Sequence, residues 1–209
     1  IREGRHSHLK MSMALSLVHR IRRSAVFLLI LVVSLIFVMP VEAAESTGII
    51  FIGDSRTVGM SKSVAIEDNV FFVAKVGQGY DWFCSTAIDA AEDIINSNDC
   101  DNWVIITNLG VNDLGNVEKY KAKYKELLEG DWKDYSFYIT SVYCIDESKY
   151  QGSVTNEKIE SFNSSMSWYK NFIDIYDISK REIISSDGLH FSAKCYQKLY
   201  QEILNRLED

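Results

Sequence analysis

The sequence predicts an α/β fold, a three-layer α/β/α sandwich around a five-stranded parallel sheet. Short apolar runs alternate along the chain with longer amphipathic segments. The runs are rich in β-branched and aromatic residues, as strands covered on both faces should be. Strands that alternate with helices form right-handed βαβ units, and such units build a parallel sheet between two helical layers.

Five of the apolar runs account for the strands. The first reads Gly-Ile-Ile-Phe-Ile and the third reads Trp-Val-Ile-Ile-Thr-Asn, which suits the buried centre of a sheet. The predicted strands are residues 48–52, 70–73, 103–108, 136–141 and 172–175.

The amphipathic segments between and after the strands account for the helices. Asn156 and Ser192 stand before the last two of them and are predicted to be N-caps. The longest polar connection is 143–156, and loops of this kind often border a site. The predicted helices are residues 56–66, 82–97, 117–129, 157–170 and 192–207.

Residues 1–44 are interpreted as a basic leader and signal peptide, or as an N-terminal anchor, and residues 45–209 as the globular domain. Arginines precede an uncharged apolar run at 25–39, and small residues follow it, which is the order found in secretory signals. The run is shorter than the roughly 20 residues of a membrane span. Either interpretation predicts a secreted or cell-surface domain that meets the membrane only through a retained anchor.

The charge of the predicted domain excludes some partners. The leader holds six of the 22 Lys and Arg residues and two of the 29 acids, which leaves 16 basic and 27 acidic residues and a net charge of −11. A domain this acidic, without a Lys/Arg cluster, is not expected to bind nucleic acid or anionic lipid.

The cysteines leave their pairing open. The domain contains Cys84, Cys100, Cys144 and Cys195. Export permits disulfides, but four cysteines allow three complete pairings, and free thiols are an equal alternative. The chain has no C-x-x-C pair and no histidine cluster, so we expect no zinc site, no other metal and no cofactor.

One edge of the sheet is predicted to collect the unusual segments of the chain. Each of them follows a predicted strand, and in an open parallel sheet ligands bind beyond the carboxyl ends of the strands. The segments are residues 53–57, 75–82, 109–113 and 186–190.

Two of these segments contain the parts of a Ser-His-Asp hydrolase. Ser55 follows the first strand within Gly-Asp-Ser, and Asp187-Gly-Leu-His190 lies before the last helix. His190 is the single histidine after the leader. A general base that works near neutral pH through an imidazole must therefore be His190.

In these motifs the chain resembles the SGNH hydrolases, also called GDSL-type esterases and lipases, which are named for Ser, Gly, Asn and His in four sequence blocks. The chain has Gly-Asp-Ser, a Gly-x-Gly turn, Gly-x-Asn-Asp and Asp-x-x-His in the family's order. The resemblance covers residues 48–207 and implies the flavodoxin-like SGNH-hydrolase fold. The serine does not lie in the Gly-x-Ser-x-Gly elbow of ordinary α/β-hydrolases.

The resemblance implies a catalytic triad. Ser55 is expected to be the nucleophile, His190 the general base and Asp187 the residue that orients the imidazole. The alternatives are structural: an N-cap for Ser55, a surface histidine for His190 and a turn residue for Asp187.

The resemblance also implies an oxyanion hole. The expected donors are the Ser55 backbone N–H, a glycine N–H of the second block and the side-chain amide of Asn112. Gly77 is favoured over Gly79 for the glycine because it comes first after the strand, although a turn that needs positive φ is an alternative for either. Asn112 has the alternative of capping a turn.

Residues beside the nucleophile and in the second segment are candidates for substrate binding. Arg56 is expected either to meet an anionic substrate group or to pair with an acid, Asp113 or Asp81. Tyr80 and Trp82 are expected either to stack on a sugar ring or to pack the helix that they begin.

These expectations lead to a secreted serine esterase that forms an acyl-enzyme on Ser55. Its substrate is expected to be a small-molecule or glycan ester, with an O-acetyl group on a carbohydrate or cell-wall glycan preferred. One alternative keeps the triad but transfers the acyl group to a glycan hydroxyl. Another is a glycan-binding module that retains the fold without turnover.

Overall fold

The structure, a computed structural model, describes residues 45–182 and 185–207 together with Arg20 and Arg22. The predicted signal peptide and its apolar run therefore lie outside the described residues. Residues 45–209 form one compact unit. None of the helices in the described part of the chain combines the length and the apolar character that crossing a membrane requires.

Five parallel strands form a single sheet in the order β2-β1-β3-β4-β5. This confirms the predicted α/β class and the five-stranded parallel sheet, and the order is that of flavodoxin-like folds. The strands are β1 Thr47–Gly53, β2 Val70–Ala74, β3 Asn102–Asn108, β4 Ser136–Thr140 and β5 Phe172–Ile173.

The central strands are the most apolar, as their position requires. In β1, Ile50, Phe51 and Ile52 are fully buried, and Ile105 and Ile106 of the neighbouring β3 are too. Burying a side chain of this size contributes about 1.5–3 kcal/mol, so these two strands hold the centre of the core.

Helices connect successive strands and follow the last one. They are α1 Ser55–Ser61, α2 Tyr80–Trp82, α3 Ile88–Ser97, α4 Val117–Glu129, α5 Asn156–Met166, α6 Tyr176–Glu182 and α7 Ala193–Asn205. A π-helical segment, Phe83–Ala87, joins α2 to α3, and a 3₁₀ turn, Leu114–Asn116, precedes α4.

The sequence predicts some helix ends correctly and others wrongly. The bounds of α4 and the N-cap Ser192 are confirmed. The N-cap of α5 is Thr155, whose hydroxyl accepts the Lys158 N–H. Asn156 instead exchanges two hydrogen bonds with the main chain of Ile145 and so anchors the preceding loop.

Helix α6 is absent from the prediction. The alternating Phe-Ile-Asp-Ile of 172–175 is typical of a strand, but β5 ends at Ile173. The carboxylate of Asp174 accepts the Tyr176 N–H at 3.0 Å and starts the helix there. Local capping chemistry outweighs the alternating pattern at this edge of the sheet.

The strand order defines where a ligand can enter. The chain goes from β1 to β2 on one side and then crosses to β3 on the other side of β1. The connections that leave β1 and β3 therefore diverge to opposite sides, which opens a crevice beyond their carboxyl ends. The segments 54–57 and 109–113 lie at this crevice.

Candidate active site

Ser55, His190 and Asp187 form a continuous hydrogen-bonded chain. The Ser55 hydroxyl oxygen lies 2.8 Å from Nε2 of His190, and Nδ1 of His190 lies 2.7 Å from Oδ2 of Asp187. With the imidazole proton on Nδ1, Nδ1–H donates to the carboxylate and Nε2 is free to accept the serine proton. Residues that are 135 positions apart in the sequence thus meet in the geometry of a nucleophile, a base and an orienting acid.

The other oxygen of Asp187 fixes the orientation of its carboxylate. Oδ1 accepts the backbone N–H groups of Leu189 and His190, both at 2.8 Å, and lies 3.2 Å from the Ser185 hydroxyl. Burial raises the pKa of Asp187, but the hydrogen bonds from His190 and Leu189 outweigh it and hold this pKa well below its usual range. Asp187 is therefore a carboxylate throughout the neutral range.

Ser185 is a supporting residue that the sequence prediction misses. Its hydroxyl accepts the Gly188 N–H at 2.9 Å and can donate its own proton to Asp187. Gly188 has a φ of +81°, which few residues other than glycine adopt. A serine just before an Asp-Gly turn is the local signal for this arrangement.

Ser55 lies at the junction of β1 and α1. Its exposed fraction is only 8 %, although its hydroxyl lines a cavity together with His190. As the first residue of α1, it has a backbone N–H with no partner within the helix. This N–H lies at the positive end of the helix dipole, where negative charge is stabilised.

Asp54 caps the same helix. Its carboxylate accepts the Arg56 N–H at 2.9 Å, and its side chain is almost fully buried. Burial raises the pKa of Asp54 to about 6, against the opposing effects of the Arg56 N–H and the nearby Arg56 and His190 charges. Asp54 is thus a structural residue at the base of the turn that carries Ser55.

Asp113 connects the segment 109–113 to the segment 75–82 by hydrogen bonds. It accepts the Tyr80 N–H at 2.7 Å and lies within hydrogen-bond distance of the Asn116 amide and the Tyr120 hydroxyl. A Cβ on Gly79 would come within 2.5 Å of this carboxylate. The carboxylate and the glycine turn therefore pack directly on each other.

Asn112 and the two candidate glycines of the predicted oxyanion hole lie together on this pair of segments, whereas Ser55 lies on another. The Asn112 amide donates to the main-chain carbonyl of Gln78 at 2.8 Å, between the two candidate glycines. Gly77 has a φ of +71° and open space around its Cβ position, so it is a glycine for conformational reasons. Gly79 is a glycine because Asp113 approaches it closely.

Two cavities flank this edge of the sheet. One of about 380 Å³ is lined by both Ser55 and His190, with Lys62, Val76 and Phe191 among its other walls. The other, of about 510 Å³, has Asn112 at its rim and lies between the start of α4 and α5. The Ser55–His190 pair and Asn112 therefore line different cavities.

The structure contradicts the substrate-binding prediction for Arg56. Its exposed fraction is 1 %, and its guanidinium donates to the carbonyls of Tyr143, Cys144 and Leu189. It pairs with neither of the predicted acids and does not reach the cleft. The sequence shows a cation beside the candidate nucleophile but not the carbonyls that surround it in the fold.

Tyr80 and Trp82 pack within the protein, which was the alternative to stacking on a sugar ring. The Tyr80 ring packs edge-on against Tyr120 of α4 at 5.2 Å, and the Lys119 ammonium lies 5.7 Å from its centre. Trp82 is half-buried against the core. Neither residue lines one of the two cavities, so the structure does not support their prediction as sugar-stacking residues.

The four cysteines form no disulfide with one another in the structure. Within the described residues, no cluster of three or more His, Cys, Asp and Glu side chains is arranged to hold a metal ion.

Several solved structures have the same fold. A member of the lipolytic G-D-S-L family from Veillonella parvula is 18% identical with a TM-score of 0.54, over 77% of this chain and 97% of that one. The C-terminal catalytic domain of peptidoglycan O-acetyltransferase A from Streptococcus pneumoniae is 18% identical with a TM-score of 0.53, over 79% and 97%. An acetyl xylan esterase is 14% identical with a TM-score of 0.57, over 76% and 98%.

No family model and no curated protein matches the sequence. The similarity is thus one of structure, at sequence identities that establish a fold and not an activity. The chain has the fold of the SGNH hydrolases.

Proposed function

We propose that this protein is a serine esterase of the SGNH type that works through an acyl-enzyme on Ser55. The observation that carries the proposal is the hydrogen-bonded chain from Ser55 through His190 to Asp187, with distances of 2.8 and 2.7 Å. A structural N-cap or turn would not require an imidazole between the serine and the carboxylate.

The geometry supports a two-step reaction. The Ser55 oxygen attacks the ester carbonyl carbon while Nε2 of His190 takes its proton, and the same proton then goes to the departing alcohol. Water next attacks the acyl-enzyme, again losing its proton to Nε2, and releases the acid and the free serine. Asp187 remains ionised and stabilises the imidazolium in both steps.

The proposed oxyanion hole consists of the Ser55 N–H, the Asn112 amide and a glycine N–H of the second segment. The Asn112 amide uses one hydrogen for the Gln78 carbonyl, and its second hydrogen is available for the substrate oxygen. Each such donor typically contributes about 10²–10³ in kcat. Gly77 is our choice for the glycine, because it comes first after β2.

The proposed substrate is an ester on a carbohydrate, with an O-acetyl group on a cell-wall glycan preferred. Two fold neighbours are an acetyl xylan esterase and a peptidoglycan O-acetyltransferase domain, and both names place acetyl esters on glycans. We further propose that the domain is secreted or held at the cell surface, as its leader suggests. Mass spectrometry of the exported protein tests this, because cleavage would give a new N-terminus near residue 44.

The first test is hydrolysis of p-nitrophenyl acetate by residues 45–209. Ser55→Ala and His190→Ala should each lower kcat by at least about 10³-fold. Ser61→Ala is the matched control, since Ser61 lies at the other end of α1 and only bonds back to Val58. Equal rates in all four proteins would reject the proposed function and favour a binding module.

Transfer to a glycan hydroxyl is a second candidate for the same acyl-enzyme. One fold neighbour is an O-acetyltransferase domain, and Asn112, a proposed oxyanion donor, lines a cavity of about 510 Å³. Product analysis with and without a chitooligosaccharide acceptor separates the two. Hydrolysis gives only free acetate, whereas transfer gives acetylated acceptor.

A further inference from the structure

The guanidinium of Arg56 contacts both chain neighbours of His190. Its Nε donates to the Leu189 carbonyl at 3.1 Å, and its Cζ lies 5.5 Å from the centre of the Phe191 ring. Arg56 itself directly follows Ser55. One side chain therefore links the backbone that carries the candidate base to the backbone that carries the candidate nucleophile.

The same guanidinium is anchored to the end of the sheet. Nη1 donates to the Tyr143 carbonyl at 2.6 Å and Nη2 to the Cys144 carbonyl at 3.1 Å, in the segment that follows β4. The Tyr143 ring stacks on that of Phe191 at 5.9 Å. A guanidinium presents donors from three nitrogens in a rigid plane and so fits three carbonyls from two segments, whereas a lysine offers its three donors from one nitrogen on a flexible stem.

The buried guanidinium of Arg56 carries a cost in stability. Arg56 is buried, which lowers its pKa, yet an arginine stays charged in proteins. Within residues 45–182 and 185–207, its side-chain hydrogen bonds all go to carbonyls and none to a carboxylate. Buried charges carry a desolvation cost that an apolar side chain of similar volume avoids.

We propose that Arg56 is a positioning residue that sets the distance between the Ser55 hydroxyl and Nε2 of His190. The proposal rests on the proposed function, since it concerns the efficiency of that same triad. Arg56 does not contact the substrate in this scheme. It acts through Leu189 and Phe191, which hold the His190 backbone from both sides.

A positioning role has a kinetic signature. A displacement of the base by about 1 Å can cost about 10²-fold in rate. The cleft surface would be unchanged, because Arg56 lies beneath it. The substitution should therefore lower kcat and leave KM within about threefold of the wild-type value. Proton transfer to and from His190 should be slower in both steps of the reaction.

The test compares Arg56→Lys and Arg56→Met with the wild type on p-nitrophenyl acetate. Active sites are counted by mass spectrometry after complete labelling with a fluorophosphonate, so that kcat refers only to folded, reactive enzyme. Phe191→Leu removes the stacked ring but leaves Arg56 in place, and it tests the proposal if the arginine variants do not fold. Because Phe191 also lines the cavity at Ser55, only its kcat per labelled site is compared and its KM is not used. Leu127→Ala is the control for a buried substitution in α4, away from the site.

We expect both arginine variants to lose about 10²-fold in kcat per labelled site, and Phe191→Leu to lose a smaller factor. Leu127→Ala should lower Tm without changing kcat. The proposal is overturned if the arginine variants, or Phe191→Leu in their place, keep the wild-type kcat per labelled site. It is also overturned if Lys restores that kcat, since charge alone would then suffice. Failure of the proposed function would look different, because the wild type and Ser55→Ala would then have equal rates.

Discussion

Replacing Asp187 by asparagine should be more damaging than replacing it by alanine. Oδ1 of Asp187 accepts two backbone N–H groups at 2.8 Å, so the oxygen of an asparagine must take that position. Its NH₂ group would then face Nδ1 of His190, where Oδ2 now lies at 2.7 Å. Two donors cannot bond each other, so the imidazole would shift its proton to Nε2 and lose its ability to accept the serine proton.

The size of the effect follows from this change of tautomer. In Ser-His-Asp hydrolases the wrong tautomer costs about 10⁴-fold in kcat, which corresponds to about 5 kcal/mol in the activation barrier. In Asp187→Ala, water can reach Nδ1, because the side chain of Asp187 is 52% exposed. A solvated imidazole keeps part of its population in the productive tautomer, so we expect a loss on the order of 10²–10³-fold.

The assay measures kcat for the hydrolysis of p-nitrophenyl acetate at pH 7. Nitrogen NMR of His190, the single histidine of residues 45–209, identifies its tautomer. Wild type should have its proton on Nδ1 and Asp187→Asn on Nε2. Asp187→Glu serves as a control that keeps the charge. An Asp187→Asn protein as active as Asp187→Ala, or more active, would refute the argument that Asp187 fixes the tautomer.

Three further predictions concern the surroundings of the triad. Asn112→Ala should lower kcat by about 10²–10³-fold with little change in KM, measured by steady-state kinetics, if its amide binds the oxyanion. Gly79→Ala should lower Tm more than Gly77→Ala in thermal unfolding. The new Cβ at position 79 would meet the Asp113 carboxylate at 2.5 Å. At position 77 the alanine would only have to adopt the left-handed conformation of Gly77, which costs about 1–2 kcal/mol. Asp54→Asn should flatten the pH dependence of stability. Because burial raises the pKa of Asp54 from 3.8 to about 6, the wild type should lose up to about 3 kcal/mol of unfolding free energy as the pH rises from 4 to 7.

Each of these has an outcome that would contradict it. A rise in KM alone for Asn112→Ala would indicate substrate binding and not transition-state stabilisation. Equal unfolding temperatures for the two glycine variants would show that the Asp113 carboxylate can move aside. A pH profile for Asp54→Asn as steep as that of the wild type would show that other groups dominate the acid dependence.

The sequence predicts the sheet and the meeting of the motifs for one physical reason. Parallel strands end at the same edge, so segments that follow them must meet there whatever their distance along the chain. This is why the segments with Ser55 and Asn112, which follow β1 and β3 directly, are expected at that edge. The meeting of Ser55 and His190 is also correct, but the Asp187–His190 segment arrives only after α6, a helix that the prediction lacks.

Helix ends are predicted less well because they depend on local hydrogen bonds. Asn156 has the chemistry of an N-cap, but its amide satisfies both main-chain groups of Ile145, and the neighbouring Thr155 takes the cap. The choice between two adjacent polar residues depends on which of them faces another segment. A pattern read along the chain does not contain that information.

The orientation of Arg56 is a second feature that the sequence does not predict, and it lies at the candidate site itself. Its neighbour Ser55 suggests a substrate-facing cation, but the groups that decide its orientation are carbonyls, which every residue has and which leave no sequence signal. They belong to Leu189 and to Tyr143 and Cys144, far away along the chain. A charged residue next to a nucleophile can serve the substrate or the scaffold, and only the fold distinguishes the two. Here the protein surrounds the Arg56 guanidinium completely, so the guanidinium cannot meet an anionic substrate group. The same burial makes a positioning role for Arg56 testable.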